Sequence, residues 1–234
     1  MRIPPHDPWP ASPADAIALQ VRLAPQVVLE GDPPEAGVHT VAGCDLAFLG
    51  RGRRGDTARA AVVLLSYPEL TPLEQHVVEA PVTFPYVPGL LAFRELPALL
   101  QAFEKLQQAP DLLLVDGQGY AHPRRFGIAC HLGLLIDVPT IGVAKSRITG
   151  AHDEPAPAAG ARADLRDGDE LIGVVLLSRE RGRPLYVSPG HRIGFGPAAE
   201  WVMRLCRALP AGRQGYRLPE PTRLADRLSK ALPL

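Results

Sequence analysis

The sequence predicts an α/β fold built on a mixed sheet, in which three antiparallel strands precede parallel α/β units and helices flank the sheet. Three segments with strand-like patterns follow one another through short connections, which favour antiparallel pairing. These segments are 38–48, 58–66 and 73–80. Two short apolar runs, Leu112–Val115 and Thr140–Ala144, are typical of strands buried on both faces. The amphipathic segment 126–136 between them completes a β-α-β unit, whose crossover is expected to be right-handed.

Composition indicates a globular protein with one domain. The chain has 234 residues, of which 46% are hydrophobic and 21% charged, and its net charge is zero. We expect a single domain over 1–234, with an N-terminal helical extension at about 1–37. Zero net charge argues against a generally basic surface, although a local basic face is still compatible with it.

Compartment and membrane association are inferred from what the sequence lacks. No apolar run approaches the roughly 20 residues of a transmembrane helix, and the N-terminal MRIPPHDPWP has no apolar stretch of a secretory signal. Cys44, Cys130 and Cys206 are scattered and form no CxxC pair. They fit buried thiols in a reducing compartment better than zinc ligands or disulfides. We therefore expect a cytoplasmic protein without a membrane partner.

The remaining elements follow from local patterns. A helix is predicted over 13–29, with Leu19, Val21 and Leu23 on its apolar side and Pro25 ending or kinking it. A second helix is expected to run through Gln107, with Pro97 tolerable only in its first turn.

The C-terminal third continues with further strands and helices. Residues 150–168 are predicted to be a surface loop, and 170–177 with 185–187 a hairpin. Residues 197–209 and 222–232 are predicted to be helices. Together with the earlier elements, the order β-β-β-α-β-α-β is that of a ribonuclease H-like arrangement.

Two charged side chains follow the two buried strands. Asp116 comes at the end of the first run and is followed by Gly117 and Gly119; Lys145 comes at the end of the second. Because parallel strands end at the same sheet edge, where ligands bind in α/β proteins, we expect Asp116 and Lys145 to lie side by side. Alternatively, an Asp before Gly is a common turn former and a Lys after a strand is commonly solvated.

Three more carboxylates occur at positions that need explanation. Asp45 lies inside an apolar strand, where a bare charge is costly; an ion pair or a capped turn is the alternative. Glu95 begins a helix, where the dipole alone favours an acid, and Asp226 lies in the last helix, where a solvated face is the alternative. Carboxylates converging from separate elements are what Mg²⁺ requires. On this pattern alone, metal-dependent phosphoryl transfer is one candidate function among several.

Five motifs carry a resemblance to a known family. They are GCDLAF (43–48), PYVPGLLAFRE (85–95), VDGQGYAHPRRFGIACHLGLLIDVPTIGVAKSRI (115–148), GHRI (190–193) and YRLPEPTRLAD (216–226). In this order they resemble endonuclease V, the deoxyinosine-specific nuclease of DNA repair, whose fold is ribonuclease H-like.

The resemblance implies roles for six catalytic residues. Asp45 and Asp116 would bind the metal with Glu95 as a third acidic ligand, and Asp226 would lie near the site. Lys145 would contact a phosphate or neutralise transition-state charge. His122 matches a histidine near the scissile strand; a loop histidine bonded to backbone is the alternative.

The resemblance also implies a wedge and a base pocket. The loop PYVP, from Pro85 to Pro88, would insert at the lesion, with Tyr86 stacking on an exposed base; a proline-rich turn with a core tyrosine is the alternative. The pocket residues would be Leu91, Gly119, Gly127 and Ile128. Tyr120 is bulkier than the aliphatic residue usual in the family, which puts the shape of the pocket in doubt.

The implied activity is that of a Mg²⁺-dependent monomeric endonuclease, with Mn²⁺ able to substitute. It would cut the second phosphodiester bond 3′ to deoxyinosine in DNA and leave a 3′-hydroxyl and a 5′-phosphate. Other damaged or mismatched bases are further candidate substrates. Two alternatives stay open: an inosine-directed ribonuclease, and a module that binds flipped or displaced bases without cutting.

Overall fold

The structure, a computed structural model, describes residues 1–50, 55–206 and 215–230. The helices are α1 Pro13–Leu23, α2 Ala92–Glu104, α3 Ile128–Ile136, α4 Phe195–Leu205 and α5 Glu220–Lys230. The strands are β1 Thr40–Leu49, β2 Thr57–Ser66, β3 Pro72–Pro81, β4 Leu112–Val115, β5 Thr140–Ala144, β6 Arg162–Asp167, β7 Glu170–Leu176 and β8 Leu185–His191.

The strands form one eight-stranded mixed sheet in the order β3-β2-β1-β4-β5-β8-β7-β6. The first three strands pair antiparallel, and β4 then joins β1 and β5 in parallel. The strands β8, β7 and β6 extend the sheet with antiparallel pairs. The predicted mixed sheet, with three antiparallel strands followed by a parallel α/β unit, is confirmed and has the ribonuclease H-like arrangement.

Two apolar cores cover the two faces of the sheet. Side chains of α2 and α3, such as Phe103 and Leu132, pack with Cys44 and Val115 on one face. Side chains of α4 and α5, such as Trp201, pack with Val41 and other strand residues on the opposite face. Because successive residues of a strand alternate between faces, both cores are built from the same central strands. No helix within the described residues is long and apolar enough to span a membrane.

Helix α5 lies unusually close to β1, and Gly43 makes this approach possible. A Cβ at Gly43 would come within 2.1 Å of the carbonyl carbon of Pro221, in the first turn of α5. Only a residue without a side chain leaves room for that backbone. The last helix is thereby held across the strand that carries Asp45.

The N-terminal segment packs against the edge of the domain. Ser12 caps α1 by accepting a hydrogen bond from the Asp15 backbone N–H at 3.2 Å. Ala16 and Leu19 are buried against Phe84, Leu90 and Phe93. The expected apolar side of this helix was partly wrong, since the side chain of Val21 is 59% exposed and Gln20 is buried instead. Helix α1 ends at Leu23, before the short 3₁₀ turn that contains Pro25.

Three further predictions need correction. Pro97 lies inside α2, in its second turn, because the helix already begins at Ala92, and the helix ends at Glu104 rather than Gln107. The expected loop 150–168 contains strand β6, which pairs with β7 at the sheet edge; its alternating polar residues concealed a strand with one exposed face. The predicted helix residues 207–209 and 231–232 lie outside the described residues.

Substituting Gly43 with Ala should destabilise the protein. The new Cβ would overlap the Pro221 backbone, which cannot move as a side-chain tip can, and overpacking typically costs about 1–3 kcal/mol. Urea unfolding measures this loss. The control is Gly196→Ala in α4, where a Cβ meets nothing within 4 Å and unfolding should be unchanged or slightly harder. Equal unfolding midpoints for the wild type and Gly43→Ala would show that this close approach is not required.

Candidate active site

The pairing of β1 with β4 brings two acids to one edge of the sheet. Cys44 lies opposite Val115, so Asp45 and Asp116 follow at the same level. Residues 41, 43 and 45 alternate onto the face that α5 covers, and α5 contributes Asp226. One carboxylate oxygen from each of Asp45, Asp116 and Asp226 lies within 4.8 Å of the others. This trio is called the carboxylate cluster below.

Polar and cationic groups offset the charge of the cluster. Lys145 forms ion pairs with Asp116 and, at 2.7 Å, with Asp226. The contact of Asp116 with Lys145 was expected from the two strand ends. Lys230, one turn after Asp226, donates to the same carboxylate at 2.6 Å. The buried Ser229 hydroxyl donates to Asp45, and no pattern in the sequence had marked this serine.

The acids of the cluster respond differently to these surroundings. Burial raises the pKa of Asp45 to about 6, the Ser229 hydrogen bond opposes this, and the negative charge of Asp116 adds to it. Burial would also raise the pKa of Asp226, but hydrogen bonds from Lys145 and Lys230 bring it below its ordinary value. Lys145 is held charged, because its ion pairs raise its pKa against the opposing effect of burial.

Glu95 lies beside the cluster, in the first turn of α2, and is only 9% exposed. Burial, followed by the charges of Asp45 and Asp116, raises the pKa of its carboxyl to about 8. The predicted three ligands included Glu95, whereas the three carboxylates gathered within 4.8 Å have Asp226 in its place. A protonated Glu95 and a charged Asp226 therefore surround the same two aspartates.

A cavity of about 430 Å³ opens next to Asp116 and Lys145. That volume is in the range of ordinary small-ligand pockets. Its walls come from the loop 86–89, the start of α2, the glycine-rich loop after β4 and the segment after β5. Five of the seven residues predicted to bind substrate line it: Tyr86, Pro88, Leu91, Gly127 and Ile128.

Pro85 and Gly119 are not part of the cavity wall. Gly119 is buried against β8, and a Cβ there would come within 2.2 Å of the Pro189 carbonyl oxygen. Its backbone N–H already donates to the Ser188 hydroxyl oxygen at 3.0 Å and is not free to donate to a base. The glycine is needed for packing of the loop on the neighbouring strand. Gly127 packs in a similar way on the Gln118 carbonyl, yet it borders the cavity.

His122 is 4% exposed and bonded to backbone on both ring nitrogens, as the alternative interpretation had it. Its Nδ1 accepts the Arg124 N–H at 3.1 Å, so its Nε2 carries the proton and donates to the Gly89 carbonyl at 3.0 Å. Burial, followed by the charge of Arg124, lowers the pKa of the imidazole to about 4. It is therefore a neutral ring at the cavity wall near neutral pH.

Tyr86 lines the cavity and is 69% exposed. The guanidinium of Arg94 lies 5.3 Å from its ring and 4.5 Å from the ring of Phe48. Arg94 itself is buried and adjoins Glu95 in α2. Contacts of a cation with two aromatic rings are favourable, so Arg94 stabilises the position of the Tyr86 ring. The sequence showed the tyrosine but gave no sign of this stack, because Phe48 and Arg94 are far apart in the chain.

Comparisons with known proteins find relatives over nearly the whole chain. The family model for endonuclease V matches residues 21–227. Endonuclease V from Alkalilimnicola ehrlichii is 51% identical over 224 residues, which are 96% of this chain and 94% of the relative.

Solved structures show the same likeness. The crystal structure of endonuclease V from Streptomyces avermitilis superposes with a TM-score of 0.85 at 40% identity, over 95% of this chain and 93% of that one. Endonuclease V from Ciona intestinalis, crystallised with a 24mer DNA containing an inosine followed by a ribo-adenosine, has a TM-score of 0.77 at 27% identity, over 93% and 95% of the two chains. The chain belongs to the endonuclease V family of nucleases.

Proposed function

We propose that this protein is a Mg²⁺-dependent endonuclease that acts on DNA containing deoxyinosine. The observation that carries the proposal is the carboxylate cluster, whose member Asp116 lines a cavity bordered by an exposed tyrosine loop. The inosine-containing DNA bound by the Ciona relative supports the substrate. By the family resemblance, the bond cut is the second phosphodiester 3′ to the lesion, with a 3′-hydroxyl and a 5′-phosphate as products.

The donor set fits a hard divalent cation. Asp45 offers oxygens from the middle of β1 and Asp116 from the end of β4, and Asp226 and Glu95 lie near them. The Lys145 ammonium, which pairs with Asp116 and Asp226, already places one positive charge at the cluster. Mg²⁺, with Mn²⁺ as a substitute, supplies polarisation of a phosphoryl oxygen and a lower pKa of bound water. Burial, and after it the charges of neighbouring carboxylates, raises the pKa of Asp45 and Glu95, and a bound cation would oppose both effects.

Lys145 is proposed to transfer its contact from Asp116 to a phosphate oxygen when substrate is present. Its side chain is 37% exposed and lies at the cavity wall, so the ammonium can reach a ligand there without crossing the core. A charged ammonium stabilises negative charge that develops on the phosphate in the transition state. The neutral His122 is proposed to maintain the shape of the cavity and not to transfer a proton, since both its ring nitrogens are already hydrogen-bonded.

The cavity is proposed to hold the extruded base and Tyr86 to fill the gap left in the stack. An exposed ring backed by Arg94 can stack on a neighbouring base without burying new polar groups. Removing a base from a duplex costs less at a mispair, which favours inosine over a normal base. Leu91, Gly127 and Ile128 form the part of the wall that would face such a base.

A second candidate is cleavage of inosine-containing RNA. It is motivated by the ribo-adenosine that follows inosine in the DNA bound by the Ciona relative. Matched DNA and RNA strands, each with one inosine, separate the two candidates by their relative cleavage rates. The proposed setting is the cytoplasm, which suits three thiols of which none forms a disulfide.

The direct test is cleavage of an end-labelled inosine duplex with Mg²⁺ or with EDTA. We expect Mg²⁺-dependent cutting at the second bond 3′ to inosine in the wild type. Asp45→Asn and Asp116→Asn should each lose cutting by several orders of magnitude, because each removes a charged ligand at nearly constant shape. They should still bind the duplex in Ca²⁺, since the residues proposed to face the base, Leu91, Gly127 and Ile128, are unchanged.

The matched control is Asp164→Asn, an exposed aspartate on β6. It should cut as the wild type does. If either cluster variant cuts within about tenfold of the wild type, that residue is not a metal ligand, since about 1.4 kcal/mol is too little for one. Cutting at the expected bond in EDTA would refute metal dependence.

The metal-free protein should lose stability as the pH rises from 6.5 to 8.5. Folded Glu95 keeps its proton up to about pH 8, whereas the unfolded side chain titrates near its ordinary 4.5. The folded state thus holds one proton more than the unfolded state in this window. The free energy of unfolding therefore falls by up to about 1.4 kcal/mol per pH unit as the pH rises. Urea unfolding in EDTA measures the slope.

Glu95→Gln should flatten this slope and raise stability at pH 8.5, because the amide cannot ionise. Glu104→Gln, an exposed glutamate at the end of the same helix, is the control and should keep the wild-type slope. Parallel pH curves for Glu95→Gln and the wild type would mean that Glu95 does not hold a proton in the folded protein.

A further inference from the structure

A single carbonyl oxygen at the end of the tyrosine loop collects three hydrogen bonds. The Gly89 carbonyl accepts from Gln20 Nε2 at 3.1 Å, from His122 Nε2 at 3.0 Å and from Arg124 Nη2 at 2.8 Å. The donors come from α1 and from the loop between β4 and α3. Three distant segments of the chain therefore meet at the point where residues 85–89, here called the wedge loop, join α2.

Gln20 is the member of this group that comes from outside the nuclease motifs. It is 1% exposed, and its second amide N–H donates to the Phe126 carbonyl at 3.1 Å. Its own oxygen accepts from Arg124 Nε at 2.6 Å. Every polar group of this buried side chain is thus engaged, which fixes its rotamer and the groups that it contacts.

Two prolines limit the backbone hydrogen bonding of the wedge loop. Pro85 and Pro88 have no backbone N–H and cannot donate a hydrogen bond. Gly89 has a φ of +77°, and a Cβ there would meet Arg124 Nη2 at 2.7 Å. The carbonyl of this glycine is the anchored end of a loop whose tip, Tyr86, projects into solvent.

We propose that Gln20 is a positioning residue that holds the wedge loop and the base-binding loop in a fixed relation across the cavity. It acts through the Gly89 carbonyl on one side and through Phe126 and Arg124 on the other. This role rests on the proposed function, in which Tyr86 holds the stack apart while the base enters the cavity. The first helix, otherwise remote from the chemistry, thereby contributes to recognition of the lesion.

The role predicts a specific pattern of defects. If the wedge loop is loosened, affinity should fall most for an inosine duplex, in which Tyr86 has to hold the base stack open. Affinity should fall little for an inosine single strand, where the base is already unstacked, and should not change for an undamaged duplex. A merely structural anchor would weaken all three substrates together, or only lower the stability of the fold.

Two variants test the proposal. Gln20→Leu removes the donors and the acceptor at similar size, whereas Gln20→Glu keeps an acceptor for Arg124 and faces two carbonyl oxygens with a carboxyl group. The matched control is Gln101→Leu, an exposed glutamine of α2 that donates to the Pro97 carbonyl at 3.1 Å. Dissociation constants for the three substrates are measured in Ca²⁺, with urea unfolding as the check on folding. Fluorescence of a 2-aminopurine placed beside inosine reports unstacking.

We expect both Gln20 variants to bind the inosine duplex about tenfold more weakly, near the lower part of the range for one base–aromatic stack. The dissociation constants for the inosine single strand and for the undamaged duplex should change less than about threefold, and the 2-aminopurine fluorescence should fall. Gln101→Leu should match the wild type throughout. Equal losses on all three substrates, or reduced stability with an intact preference for inosine, would overturn the positioning role. A wild type without preference for inosine would refute the proposed function, and this role with it.

Discussion

The repulsion among closely placed carboxylates is the constraint on which the site depends. Asp45, Asp116 and Asp226 share a space under 5 Å across, with the buried Glu95 beside them. Such a group is costly unless positive charge enters it. Lys145 and Lys230 supply part of that charge, and a hydroxyl from Ser229 satisfies Asp45. The proposed metal ion would supply the rest of that charge.

The fold imposes this crowding through its packing. Two of the acids are fixed by the register of β1 on β4, and the third depends on α5 lying directly on Gly43. The apolar core on that face, with Trp201 and Ala225, holds the helix in place. The favourable free energy of apolar packing thus offsets the electrostatic cost of the clustered acids, which is the usual relation between a scaffold and an active centre.

The sequence predicted the central strands, the right-handed α/β unit and the contact of Asp116 with Lys145, because local patterns and strand ends carry that information. It did not reveal Ser229, which is 184 residues from its partner Asp45, or Gln20, which is 69 residues from Gly89. Polar residues that become buried only through tertiary contacts leave no local signal. At Gly119 the structure shows close packing of the loop on β8, a requirement that the glycine pattern alone does not distinguish from base binding. Strand β6 was missed because an edge strand with exposed charges resembles a loop.

We propose above all that the carboxylate cluster is a cation site. Anomalous diffraction from crystals soaked in Mn²⁺ tests this most directly. We expect one or more manganese peaks within coordination distance of Asp45 and Asp116. Crystals that show no peak there at millimolar Mn²⁺ would contradict the proposal.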